Sequence, residues 1–346
     1  MSQPDKILLI RLSALGDVLL ATPAARLVAE RFPNARIDWL VEAPYAPLLT
    51  GNPHVRPIAY DKRGRDRGLN GWRQLRARLK SERYDLVIDL QNKPKTALLR
   101  GVAPRALVFK KRTLLQSLGA LFGQDPPLAR AHATRLFGEA LAPLDIDLGP
   151  QDDERRLVPE LNLTEAMKAE AESLFGDSAR PIVGLSPGTR WPTKCWPVDK
   201  FASLAVDLSA RGFELLLIGG PDETRDFSTI RAALPPGVTC RDTARLSVAG
   251  LCGAIHHCAL VISGDSGPAH IAAALKTPSL TLFGPTSPER WAPRGPNAEH
   301  LSLNLACSPC SNHGALRCPL GTHACLRELA VDTVLQRALA MLTRES

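Results

Sequence analysis

The sequence predicts an α/β protein of two doubly wound, parallel-sheet domains facing across a cleft. Two observations carry this expectation. Short apolar runs alternate with helix-length amphipathic segments along nearly the whole chain, the pattern of parallel strands joined by crossover helices. The series also starts twice, at Lys6-Ile7-Leu8-Leu9-Ile10 and at Pro181-Ile182-Val183-Gly184-Leu185, with a charged and broken stretch between. At 346 residues the chain is long enough for two separate cores.

In the first series, Lys6 to Arg11 reads as a strand, Leu12 to Asp17 as its loop, and Val18 to Phe32 as a helix. Arg36 to Val41 and Val55 to Tyr60 read as strands, Leu69 to Arg83 as a strongly basic helix, and Asp85 to Leu90 as a buried strand. The loop after the first strand holds only one glycine, Gly16, so the dinucleotide fingerprint is missing and NAD is not expected. The pattern loosens over the charged segment Asp145 to Arg156, broken by Gly149-Pro150. This sets expected boundaries of 1–160 for a first domain, 161–328 for a second, and 329–346 for a C-terminal helix. The second series continues through helices at Glu165 to Phe175, Val198 to Arg211, Glu223 to Leu234 and after Ser247. Its strands are Phe213 to Ile218, Leu260 to Gly264 and Ser279 to Phe283, and Val331 to Leu342 closes it as a helix. Ligands are expected at the carboxyl ends of the strands.

Composition narrows the class. With 45% hydrophobic and 23% charged residues the chain is an ordinary globular one, and no apolar run approaches the ~20 residues of a membrane span. Met-Ser-Gln-Pro-Asp-Lys enters a strand without a signal-peptide layout, so a cytoplasmic protein is expected. The charge is uneven. Residues 1–150 hold 24 Lys and Arg against 14 Asp and Glu, whereas residues 151–346 hold 19 against 21. A basic first half points to an anionic partner, such as a phosphorylated substrate, a membrane surface or nucleic acid. With 5% aromatic residues and no nucleic-acid module, nucleic acid is not expected.

The most informative stretch is Leu260 to His270, where a buried strand runs into Gly264-Asp265-Ser266-Gly267 and a helix opening with Pro268. Backbone N–H groups and the helix dipole at such a start favour a phosphate or diphosphate. Gly-Asp-Ser-Gly-Pro also resembles the nucleophile loop of trypsin-like proteases, but that motif needs an all-β, disulfide-stapled context that is missing here. The plainer alternative is a capped helix start with no ligand. Three further loops at strand ends carry polar groups suited to a nucleotide: Ser186 to Lys194 with Thr189, Arg190 and Lys194; Gly219 to Glu223; and Arg245-Leu246-Ser247. In the first half, Asp17 after Gly16 reads either as a helix N-cap or as a general base. Cys307, Cys310, Cys318 and Cys325 cluster with His313 and His323, a spacing that makes them a candidate zinc site, with unmetallated thiols as the competing reading.

Together these residues resemble glycosyltransferase family 9, the ADP-heptose:lipopolysaccharide heptosyltransferases. The resemblance rests on Ser13-Ala14-Leu15-Gly16-Asp17 with Thr22-Pro23-Ala24, Lys194 ahead of Trp196-Pro197, Asp265 to His270, and Leu282-Phe283-Gly284-Pro285-Thr286. It implies a GT-B fold, an N-terminal acceptor domain and a C-terminal ADP-sugar domain. It also implies inverting transfer without a catalytic metal or cofactor to the Kdo and heptose inner core. By position it makes Asp17 the base and Lys194 a diphosphate ligand. Thr189, Glu223, Asp265, Ser266, Gly267 and His270 would line the donor, joined by Ser186 and Leu246 from the strand-end loops. The anionic Kdo–lipid A acceptor, at the inner leaflet, would then account for the basic half. Its candidate contacts are Lys62, Arg63, Lys93, Lys95, Lys110, Lys111 and Arg112. The alternatives are another nucleotide sugar, another surface-polysaccharide acceptor and, from a different class, a basic nucleic-acid-binding protein.

Overall fold

The computed structural model describes residues 3–109, 131–150, 155–176 and 180–344. The chain divides into two compact units, Met1–Asn162 and Leu163–Ser346. Lys110, Lys111 and Arg112 lie outside the described residues.

The first unit is a five-stranded parallel sheet in the order β3-β2-β1-β4-β5. Its strands are β1 (Lys6–Ile10), β2 (Arg36–Glu42), β3 (Arg56–Tyr60), β4 (Leu86–Asp89) and β5 (Arg105–Val108). Leu8, Ile10, Leu40, Val87 and the inner face of the basic helix form a buried cluster. That helix, α3 (Gly68–Ser81), buries Trp72, Leu75 and Leu79 at a spacing of three and four and leaves its cations outside. The helix expected over Val18 to Phe32 is two helices, α1 (Leu15–Leu20) and α2 (Thr22–Arg31). Pro23 cannot donate to the preceding turn, so the ladder stops at Ala21. Thr22 Oγ1 meets the freed Leu19 carbonyl at 2.7 Å. Helix α4 (Ala133–Glu139) closes this unit against α2.

The second unit is a six-stranded parallel sheet in the order β11-β10-β9-β6-β7-β8. Its strands are β6 (Ile182–Ser186), β7 (Glu214–Leu217), β8 (Cys240–Asp242), β9 (Leu260–Gly264), β10 (Ser279–Leu282) and β11 (Ala298–Leu301). Its helices are α5 (Glu165–Phe175), α6 (Val198–Ala210), α7 (Thr224–Ala233), α8 (Val248–His256), α9 (Gly267–Ala274) and α10 (Val331–Leu342). The last helix is not a separate appendage. Val334, Leu335, Ala338 and Met341 share one core with Val183, Ile262 and Leu280 of the sheet. Strands β5, β8 and β11 carry no clear sequence pattern. They are three- or four-residue edge strands of mixed polarity, placed by their neighbours rather than by their own residues. Among the described residues no helix is long and apolar enough to cross a membrane.

Helices α5 and α8 cross closely. Ser247 caps α8 through Ala249 N–H at 3.1 Å and Gly250 N–H at 3.3 Å, and Glu170 of α5 accepts from Ser247 N–H at 2.8 Å. A Cβ on Gly253 would lie 2.1 Å from the Met167 carbonyl oxygen, so only glycine permits this approach. Gly253→Ala should therefore destabilise the second unit by about 1–3 kcal/mol despite alanine's better helix propensity. Denaturant unfolding checks this, and unchanged stability would mean that the two helices part without cost.

Candidate active site

In each sheet the first strand is flanked by both arms of the topology, and the junction where the order reverses is where ligands of open α/β sheets bind. In the second unit that junction lies between β6 and β9. The loop after β6 delivers Lys194 and the loop after β9 delivers Asp265. Lys194 Nζ stands 2.8 Å from Asp265 Oδ2, and both side chains are largely withdrawn from solvent. Thr286, just beyond β10, donates its hydroxyl to the same oxygen at 2.8 Å. Asp265 thus anchors the lysine rather than capping α9. Gly264 makes the approach possible, because a Cβ there would sit 2.7 Å from the Lys194 carbonyl oxygen and 3.1 Å from Thr189 Cγ2.

Around this knot the other expected donor residues occupy the same sheet edge. Ser186 ends β6, buried, in register with Ser263 of β9. Thr189 spends its hydroxyl on its own loop, donating to the Trp191 carbonyl at 2.8 Å. Glu223 accepts from Gly220 N–H at 2.8 Å and lies against Gly188, so the loops after β6 and β7 touch. Leu246 N–H bonds the Thr243 carbonyl at 3.0 Å one loop further on. Gly267 opens α9 with Pro268 behind it and His270 buried in the first turn. The hydroxyl of Ser266 is buried and has no hydrogen-bond partner, which leaves it for a ligand at the helix start. The capped-start reading of this turn therefore fails, because neither Asp265 nor Ser266 caps the helix through its side chain.

The cysteine-bearing segment has a bracing role that its spacing does not disclose. Among the described residues no three His, Cys, Asp or Glu side chains are gathered to hold a metal. Cys325 is buried beside Gly284, while Cys307 and Cys310 are exposed. Cys307, Cys310 and Cys318 lie close enough to Cys325 for their charges to add to the burial that raises its thiol. What the segment does is brace both ligand-facing loops. Thr193 exchanges bonds with Ala315 (Oγ1 to carbonyl 2.9 Å, N–H to Oγ1 2.8 Å), and the His323 ring meets the Thr193 carbonyl at 2.7 Å. Gly314 packs on the Lys194 methylenes, and Cys310 and Ser311 N–H groups reach the Pro285 carbonyl at 3.0 and 2.9 Å.

In the first unit the reversal lies between β1 and β4. Asp17 is the third residue of α1, not its N-cap, since Ala14 takes that place and donates its N–H to Asp17 Oδ2 at 3.3 Å. Arg11, buried at the end of β1, holds the same carboxylate at 2.6 Å through Nη2. Its Nη1 donates to the Leu90 carbonyl at 2.7 Å, and its guanidinium lies 4.9 Å from the Phe137 ring centre. Gln91 accepts from Leu12 and Ser13 N–H at 3.0 and 3.3 Å and fixes the loop between. Buried Asp89 accepts from Gln91 N–H at 3.0 Å, Asn92 N–H at 2.9 Å, Thr96 Oγ1 at 2.9 Å and Arg100 Nε at 2.9 Å. That network shapes the turn presenting Lys93 and Lys95. Lys95 bonds the Tyr60 hydroxyl and lies 4.6 Å from the Trp72 ring centre. Lys62 is paired with Glu42, so it is not an open cation, and Arg63 is exposed. Asp145 and Asp147 form an Asp-x-Asp pair that serves its own turn: Asp145 has a left-handed backbone, and Asp147 accepts from Gly149 N–H at 2.9 Å.

Arg11, Gln91 and Thr286 are the contributors that sequence reasoning passes over. Their signals are a cation ending an apolar strand, an amide directly after one, and a hydroxyl closing Gly284-Pro285-Thr286.

Two doubly wound units, one with polar groups gathered at its reversal point, are the frame of an enzyme with a phosphorylated or nucleotide ligand. Comparison with known proteins makes the assignment specific. The family described as glycosyltransferase family 9 (heptosyltransferase) matches residues 72–318. Lipopolysaccharide heptosyltransferase 1 of Pseudomonas aeruginosa is 30% identical over 88% of this chain and 86% of its own. Lipopolysaccharide heptosyltransferase 2 of Escherichia coli is 29% identical over 98% and 99%. The solved structure of E. coli ADP-heptose lps heptosyltransferase II superposes with a TM-score of 0.76 at 25% identity, covering 98% of this chain and 99% of that one. The chain belongs to glycosyltransferase family 9, and it is a glycosyltransferase with the GT-B fold.

The thiols differ in a way that labelling can read. Backbone N–H groups led by that of His323 hold the Cys318 thiol below its ordinary range. Burial pushes Cys252 and Cys258 up to about 12 and Cys325 up to about 11. At neutral pH iodoacetamide should therefore modify Cys318 at least about tenfold faster than these three, because the thiolate is the nucleophile. Peptide mass spectrometry over time checks this, and equal rates would contradict the structure.

Proposed function

We infer that the protein transfers heptose from ADP-L-glycero-D-manno-heptose to the Kdo and heptose inner core of lipopolysaccharide, with inversion and without a catalytic metal. The observation that carries this is the Lys194–Asp265–Thr286 knot beside the start of α9, at the reversal point of the second sheet. An ammonium has three donors. Asp265 takes one, which leaves two for diphosphate oxygens. The α9 N–H groups and the Ser266 hydroxyl supply further donors, and Glu223 offers a carboxylate to ribose. As the bond from the anomeric carbon to ADP breaks, its electron pair settles on the diphosphate. Donors already fixed in place stabilise that charge. The names of the relatives above support a heptose donor activated as ADP-heptose and a lipopolysaccharide acceptor. A cytoplasmic enzyme working beside the inner leaflet is the matching location.

The first unit supplies the base and the acceptor contacts. The acceptor hydroxyl loses its proton to Asp17 as its oxygen attacks, so one in-line displacement inverts the anomeric centre. Arg11 and Ala14 N–H both engage Oδ2, which leaves Oδ1 to take the proton. Of the candidate acceptor cations described, Lys93, Lys95 and Arg63 are exposed and not spent on a carboxylate, so they are the ones offered to the phosphates and carboxylates of Kdo–lipid A.

Asp17→Asn should lower kcat by roughly 10²–10⁴, because an amide cannot take the proton. It should also cost about 1–3 kcal/mol of stability, since buried Arg11 loses its carboxylate. ADP affinity should not change. Measuring kcat well below the melting temperature, with calorimetric ADP binding on the same preparation, separates these effects. Near-normal turnover would leave the reaction without this base.

Lys194→Ala should weaken ADP binding by about 1.5–3 kcal/mol, one charge-assisted contact. Turnover of the native enzyme should survive EDTA. Loss of turnover on chelation would overturn the metal-free displacement.

A further inference from the structure

Helix α3 carries a face that the transfer reaction does not use. Leu69, Arg73, Arg76 and Lys80 recur at a spacing of four, three and four, so they line one exposed stripe beside the buried Trp72 edge. Arg76 Nε donates to the Leu98 carbonyl at 3.1 Å, which brings Leu98 alongside the same stripe. Leu69 and Leu98 are 79% and 60% exposed, the two large hydrophobic side chains of the first unit most open to solvent among the described residues. No Asp or Glu occurs from Arg67 to Ser81 or from Leu90 to Phe109. Cations with no ion pair among the described residues therefore flank two leucines standing in water.

We propose that this stripe, Leu69, Arg73, Arg76 and Lys80 with Leu98, is the face by which the enzyme docks on an anionic phospholipid bilayer. The chemistry is complementary on both counts. Arginines and lysines near an anionic surface each contribute attraction that falls off within a Debye length. Exposed leucines gain by entering the headgroup boundary and gain nothing from a soluble anion. Nucleic acid fits less well, because the aromatic ring of this region, Trp72, is buried with Lys95 on its face and offers no surface for base stacking. The inference rests on the proposed acceptor to the extent that a lipid-anchored acceptor gives docking its use.

The test compares vesicles of phosphatidylcholine alone with vesicles containing phosphatidylglycerol, by cosedimentation of the full chain. The native protein should bind the anionic vesicles, and added salt should release it. Arg73→Gln with Arg76→Gln should lower that affinity about tenfold or more. Leu69→Ser with Leu98→Ser should lower it at fixed charge. All four sites are exposed, so folding should be kept, and circular dichroism verifies it. Transfer to an acceptor stripped of acyl chains should be unchanged in both variants, while transfer to the same acceptor in vesicles should fall.

Three outcomes would overturn the proposal: unaltered vesicle affinity in the variants, an equal loss of transfer to the soluble acceptor, or release of the protein from vesicles by a DNA duplex at equal charge concentration. If the native protein used no such acceptor yet bound vesicles through this stripe, the docking face would stand and the proposed acceptor would fall.

Discussion

Everything at the ligand-facing edges depends on one constraint, that all strands in each sheet run parallel. A parallel neighbour can be reached only by a crossover, so every strand ends at the same edge and every loop leaving it gathers there. The first strand of each unit then becomes the hinge of the strand order. In the second unit this places two loops, separated by about seventy residues of chain, side by side, and an ion pair between Lys194 and Asp265 joins them. In the first unit it sets Arg11 against the end of β4, where a carbonyl and Gln91 receive the β1 loop. The polar residues did not need to be near each other in sequence, because the sheet order brings them together.

A second theme is how the excess of positive charge in the first half is distributed. Much of it is consumed internally. Arg36 and Arg56 hold fully buried Asp38, Arg65 and Arg78 hold fully buried Asp66, and Arg100 holds Asp89. Each carboxylate would be costly to bury alone, and its cations are the reason it can lie in the core. Desolvation and the adjacent Asp38 carboxylate also push the Tyr84 hydroxyl upward, so it stays a donor to Asp38 at 2.6 Å. The cations left over include those that face outward from α3, from the turn after β3 and from the turn after β4. Formal net charge therefore overstates what is offered to a partner, and its arrangement says more than its size.

The division between what the sequence discloses and what it hides follows from how each feature is encoded. Central strands such as Leu8-Leu9-Ile10 and Val261-Ile262 are covered on both faces, so their own residues announce them. Edge strands such as Cys240-Arg241-Asp242 are held by a neighbour's backbone and carry no signature of their own. Asp265 and the glycine before it stand out because a charged side chain directly after a buried run has few other uses, and Lys194 because it closes the polar loop that leaves the first strand of the second series. The partner relations were not visible. That Asp265 anchors Lys194, that Thr286 completes the knot, and that Lys62 is spent on Glu42 are facts of three-dimensional proximity between distant segments. The bracing role of the cysteine segment was hidden for the same reason, since Thr193 and Ala315 are over a hundred residues apart in the chain.

The braced segment from Cys307 to Cys325 has very little regular structure, yet it touches both the Thr193–Lys194 turn and the Gly284–Pro285 turn. It is tied down at both ends, by Ser308 on Gly284 and by Cys325 packed beneath it. Its hold on the lysine loop is thus mechanical, in the way of a buckle whose tongue and frame must belong to one strap. A chain nicked inside this segment would keep both sheets and still lose the backing that gives Lys194 its place. The shape of the ligand edge is therefore inherited in part from residues that belong to neither sheet.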